Sequence, residues 1–103
     1  MLDWKLLITD AKKAYYNYCY DDAIEVNNYA LMLSKKHFDN IFISNDPEKA
    51  VALVLISYLN MIDSYIAKNK FASAHILFEE IFYFLIDINK RLHKVSAQQT
   101  AII

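Results

Sequence analysis

The side chains able to do chemistry are few and scattered. Asp21, Asp22 and Glu25 bring three carboxylates close together, but no histidine lies beside them. Acids at such a place suit the start of a helix, where they oppose the positive end of its dipole. His75 and Glu79 stand one helical turn apart, and with Glu80 they are the residues a metal- or small-molecule-binding bundle would use. The Glu-x-x-His pairing of di-iron bundles is missing, so a surface pair is expected. Neither His37 nor His93 has companions at zinc-ligand spacing. No order of Ser, His and Asp, or of Cys and His, marks a nucleophile. Glycine is absent, which removes any glycine-rich phosphate loop. The expectation is a protein that is not an enzyme and holds no metal or cofactor.

A second polar set is more informative. Ser57, Asn60 and Asp63 recur every third residue within an otherwise apolar run. Three residues advance a helix by about 300°, so the set forms a slowly drifting stripe along one side. Such a stripe either bonds to neighbouring helices or offers donors and acceptors to a ligand.

The elements that must position these residues are helical. The chain has 103 residues, 56% of them hydrophobic and 15% aromatic, enough for one domain with its own core. An absence of glycine and a single proline argue against tight β-hairpins. A net charge of −1 gives no electrostatic drive toward nucleic acid. Cys19 has no internal disulfide partner; a reducing compartment and a buried thiol are expected. The first ten residues lack a basic n-region, so no secretory signal is read there. The apolar run 50–62 is interrupted by Ser57 and Asn60 and falls short of the roughly 20 residues of a membrane span. No membrane partner and a cytoplasmic location follow as expectations.

Helix one is expected over 2–18, burying Trp4, Leu7, Ile8, Ala11, Ala14, Tyr15 and Tyr18. Helix two is expected over 20–37, with Ala23, Val26, Ala30, Leu31 and Leu33 or Ser34 inside and Lys35, Lys36 and His37 as a basic last turn. The apolar connection 38–46 should fold back onto the helices. Asp46 and Pro47 are suited to cap and open helix three, over 47–68. Its face is Val51, Leu55, Tyr58, Ile62 and Tyr65 or Ile66. Asn69 tolerates the left-handed turn that ends it. Helix four, over 70–93, buries Ala74, Leu77, Phe78, Ile81, Leu85 and Ile88. The tail 94–103 either frays or extends it.

Tyr20 and Ala23 open helix two as Phe71 and Ala74 open helix four, both at an offset of 51 (71 − 20 and 74 − 23). A small residue three positions after an aromatic lets a helix approach its neighbour closely. This arrangement resembles the tetratricopeptide repeat, with Tyr58, Met61, Tyr65 and Phe78 on that family's large apolar positions. Trp4 and Leu7 keep its Trp-x-x-Leu spacing. The offset exceeds the family's period of about 34. The resemblance implies two antiparallel helix pairs, 1–37 and 47–93, in an all-α scaffold that binds a protein or peptide without catalysis. A plain up-down four-helix bundle, serving as an oligomerisation unit without a groove ligand, is the alternative.

In that family the first helix of each pair lines the concave groove. The resemblance therefore implies that Lys12, Tyr15, Tyr16, Ser57, Asn60 and Asp63 contact a bound segment. Asp63 stands where the family's carboxylate clamp would need another residue type, which argues against a C-terminal carboxylate as ligand. Helices one, three and four carry more apolar residues than one face can hold, notably in Ile81-Phe82-Tyr83-Phe84. A homodimer with Phe82 and Phe84 at its contact is expected.

Overall fold

The computed structural model describes the backbone of residues 2–41 and 47–102, and the side chains of 3–38 and 48–91. The fold is all-α. Four helices follow one another: α1 (Leu2–Tyr16), α2 (Tyr20–Ile41), α3 (Pro47–Ala67) and α4 (Phe71–Ile102). Asp46, the expected cap, and Phe42 and Ile43 of the connection lie outside the described residues.

Each helix packs on the next, and α1 and α4 share no packed face among the described residues. The four therefore form an open row instead of closing into a bundle. The row measures 55 × 30 × 14 Å, and its radius of gyration of 15.7 Å exceeds the roughly 13 Å of a compact chain this long. Helix α4 sets the long dimension, since 32 residues span about 48 Å.

The helix-ending turns repeat in atomic detail. After α1, the Tyr18 N–H donates to Tyr15 O at 3.0 Å and the Cys19 N–H to Ala14 O at 2.8 Å. After α3, the Asn69 N–H donates to Ile66 O at 2.9 Å and the Lys70 N–H to Tyr65 O at 2.8 Å. Both are Schellman turns, which satisfy the last helical carbonyls and require one residue at positive φ. Tyr18 (φ 63°) and Asn69 (φ 60°) supply it, again 51 apart (69 − 18). Cys19 O and Lys70 O then accept from the Ala23 and Ala74 N–H groups, so each turn leads directly into the next helix.

Two core clusters hold the row together. Trp4, Ile8, Ala30 and Leu53 join α1, α2 and α3. Leu31, Phe38, Val54, Tyr58, Ile62, Leu77 and Ile88 belong to the larger one, between α2, α3 and α4. Ala23 and Ala74 are both buried. Burial pushes the Tyr58 phenol above its usual pKa, with Lys35 Nζ 4.9 Å from its ring pulling the other way.

Several boundaries and faces differ from the sequence expectation. Helix α1 stops at Tyr16, so Tyr18 stands in the turn, 80% exposed. Cys19, expected to be buried, is exposed for the same reason. Helix α2 runs to Ile41, past the expected end at 37; its last turn holds no basic residue, and Phe38 enters the core instead of a connection. Helix α4 continues through most of 94–103 to Ile102. Phe78 and Leu85, expected inside, are exposed because nothing among the described residues packs on that side of α4.

The reading of 50–62 as too short for a membrane span is also corrected. Residues Glu48–Ala67 of α3 make 20 residues long and apolar enough to cross a membrane by length and composition alone. Part of that hydrophobicity goes into packing: α3 lies between α2 and α4, with Ala50, Leu53, Val54, Tyr58, Met61 and Ile62 buried, while Ile56, Leu59 and Ile66 are exposed.

Candidate functional site

Five of the six residues expected in a groove converge. Lys12, Tyr15 and Tyr16 from the end of α1, with Asn60 and Asp63 from α3, line one pocket of about 80 Å³. Asn27 of α2 lines it as well, beside the small residues Ala11 and Ser64. The sixth residue, Ser57, is elsewhere. It is fully buried, accepts a 2.8 Å hydrogen bond from Trp4 Nε1 and donates one of 2.9 Å to Leu53 O. Both its hydroxyl roles are taken, so Ser57 ties α1 to α3 and has no surface for a ligand.

The pocket exists because α1, α2 and α3 meet there without filling the space between them. The Trp4–Ser57 bond and the Trp4, Ile8, Ala30 and Leu53 cluster hold α1 against α3. Close to this lock, Ala11 and Ser64 are too short to fill the gap. Ser64 is itself occupied, donating to Asn60 O at 3.1 Å.

Two residues that line the pocket each carry an enclosed polar atom without a hydrogen-bond partner: Asn27 Oδ1, an acceptor, and Asn60 Nδ2, a donor. Asn27 is 2% exposed. A buried polar group without a partner typically costs about 1–3 kcal/mol, so such atoms are few in native folds and tend to mark sites. The sequence reading missed Asn27. The available signal was its register: Ala23, Asn27, Leu31 and Ser34 fall on one face at helical spacing, and all four are buried.

The rim is aromatic and charged. Tyr15 packs edge-on against Tyr16 at 5.5 Å and against Tyr20 at 5.4 Å, and Tyr20 meets Tyr18 at 6.3 Å. Lys12 and Asp63 are both exposed, one charge of each sign. In the first turn of α2, the Lys68 ammonium bonds the Asp21 carboxylate and holds that carboxyl below its usual range.

A second exposed feature runs along α4. Phe71, Phe78, Phe82 and Leu85 recur at spacings of seven, four and three, which place them on one face, and all are exposed. The expected contact pair Phe82 and Phe84 is thereby split. Phe82 is on this stripe, whereas the Phe84 ring turns inward, half-buried and 5.2 Å from that of Phe38. A shallower apolar groove of about 340 Å³ lies between α1 and α2, with Leu7, Tyr29 and Met32 among its walls.

No grouping of three or more potential metal ligands occurs among the described residues. His75 and Glu79 form an exposed pair at 3.0 Å. The site and fold thus define an all-α, four-helix protein with a polar pocket between three helices and an uncovered apolar helix face. Compared with protein-family models, curated proteins and solved structures, the chain matches none.

Proposed function

We propose that this chain is a non-catalytic protein-interaction module of tetratricopeptide-like build that self-associates through α4 and receives a protein segment at the pocket between α1 and α3. The observation carrying this reading is the apolar stripe of α4. At the offset of 51, Phe78, Phe82 and Leu85 correspond to Asn27, Leu31 and Ser34 of α2, all of them buried. A face built to be covered in the first pair is thus left open, and more apolar, in the second. Contiguous apolar surface of this kind marks contact sites on soluble proteins.

A second copy of the chain fits the face. Each aromatic side chain offers about 150–250 Å², so three half-exposed phenylalanines contribute a substantial part of the roughly 800 Å² that a stable partner buries. Two copies related by a two-fold axis through the stripe set the same apolar residues against each other. The free, exposed thiol of Cys19 fits a reducing, cytoplasmic setting.

The test is sedimentation over a concentration series. Wild type is expected to dimerise, and Phe82→Asp to remain a folded monomer. An unchanged dimer in the variant would remove this face from the contact, and a wild type that stays monomeric at high concentration would remove the self-association reading.

A further inference from the structure

We propose that the open end of the row, made by α3 and α4 together, seats α4 of a second copy, so that two chains join tail to tail about a two-fold axis and the assembly closes at two. This rests on the self-association reading; it adds α3 to the contact, sets the orientation and ends the growth of the row.

The surface repeats one that the chain already uses. Helix α3 lies on a surface to which both α1 and α2 contribute. Ile8 of α1 is buried in one cluster with Leu53 of α3, and Tyr15 lines a pocket with Asn60, Asp63 and Ser64. Leu31 of α2 shares the larger cluster with Val54, Tyr58 and Met61. At the offset of 51 that relates the two helix-ending turns, Ile8 and Tyr15 become Leu59 and Ile66 of α3. Leu59 and Ile66 are exposed, as are Phe78, Phe82 and Leu85, the equivalents of the buried face of α2. The end of the row is therefore a two-helix surface like the one that seats α3, with apolar residues of both helices uncovered.

The chain has two outer faces that could be laid on this surface. One is the outside of α1. The same offset puts Leu6, Thr9, Asp10 and Lys13 where α3 has Ser57, Asn60, Met61 and Ser64. In such head-to-tail stacking Lys13 falls near Asp63, the counterpart of Lys12, which favours it. Asp10, however, takes the place of Met61, a buried residue of the cluster that holds Leu31, and the counterpart of Leu31 is Phe82. Setting a carboxylate against that ring strips its water without supplying a partner. The other outer face is the stripe of α4 itself, in which Phe78, Phe82 and Leu85 carry no charge.

Symmetry then fixes the size. Two open ends facing across a two-fold axis each seat the other's α4, and neither copy keeps a free apolar end; head-to-tail contact leaves one free at every step and grows into a filament. Adding Leu59 and Ile66 to the α4 aromatics also widens the contact toward the roughly 800 Å² that each partner of a stable pair buries.

The test combines sedimentation with cross-linking of the full chain. Leu59→Asp and Ile66→Asp should each weaken dimerisation by about tenfold or more, with helical circular dichroism retained and the wild-type mass levelling off at two chains. In a Cys19→Ser background, a mixture of Leu59→Cys and Phe82→Cys chains treated with a short bismaleimide should give the mixed 59–82 product, and a mixture of Leu6→Cys and Phe82→Cys should give none. Unchanged dimerisation of both aspartate variants, with Phe82→Asp monomeric, confines the contact to α4: that overturns this proposal and leaves the self-association reading standing. A 6–82 product with mass rising past two chains overturns it in favour of head-to-tail stacking. A wild type that is monomeric throughout removes the self-association reading and this proposal with it.

Discussion

Helices α2 and α4 occupy equivalent places in the two pairs and treat the same face in opposite ways. On α2, Asn27, Leu31 and Ser34 are 2%, 5% and 0% exposed; on α4, the equivalent Phe78, Phe82 and Leu85 are 50%, 61% and 43% exposed. The buried face is thus the more polar of the two. Ser34 manages burial by donating to Leu31 O at 2.8 Å within its own helix. The comparison teaches that burial here follows which neighbour arrives, and that residue type alone does not decide it. Helix α3 packs on both α2 and α4, but among the described residues no helix covers the Phe78, Phe82 and Leu85 face of α4.

The largest expected effect separates these two faces directly. Leu31→Ala should cost about 2–5 kcal/mol of stability, the usual range for a large-to-small change in a core. Phe82→Ala, measured in dilute monomer, should change stability by no more than about 0.5 kcal/mol. Equal losses by chemical denaturation would mean that the α4 face is covered within the monomer.

A smaller effect tests how α3 is held in place beside α1. Ser57→Ala removes the acceptor of the buried Trp4 Nε1 and should cost about 1–3 kcal/mol. If Ser57 were instead part of a ligand site, the variant would melt like wild type and lose partner binding.

The smallest effect compares the two turns. Tyr18 pays a steric cost at positive φ that Asn69 largely avoids. Tyr18→Gly should therefore stabilise by up to about 1 kcal/mol, the loss of its edge contact with Tyr20 reducing the gain. Asn69→Gly should shift stability by only a few tenths of a kcal/mol. A larger gain at position 69 than at 18 would reverse this ranking.

These contrasts also show what was legible in the sequence. Trp4, Ile8, Ala11, Ala23 and Ala74 are buried where helical spacing put them, and Asn69 has the positive φ that its residue type allows. Tyr18 was not legible from type, since tyrosine rarely ends a helix; only the offset of 51 from Asn69 pointed to it. Phe78 and Leu85 carry the same periodicity as buried residues, and periodicity says which residues share a face, not whether a partner covers it. Lys12, Tyr15, Tyr16, Asn60 and Asp63 line one pocket because α1 and α3 both border it. Ser57 shares their stripe but drifts far enough round α3 to meet Trp4. Asn27 escaped notice because a polar residue between Val26 and Asn28 reads as surface until its register is compared with Ala23 and Leu31.

The central claim, that one face is covered by the chain itself and its counterpart by a second copy, is tested most directly by thiol labelling. In a Cys19→Ser background, Leu31→Cys and Phe82→Cys are labelled across a range of protein concentrations. The account predicts that position 31 stays protected throughout, while position 82 reacts freely when dilute and slows as concentration rises. Fast labelling of position 82 at every concentration would contradict it, as would protection of that position in the most dilute sample.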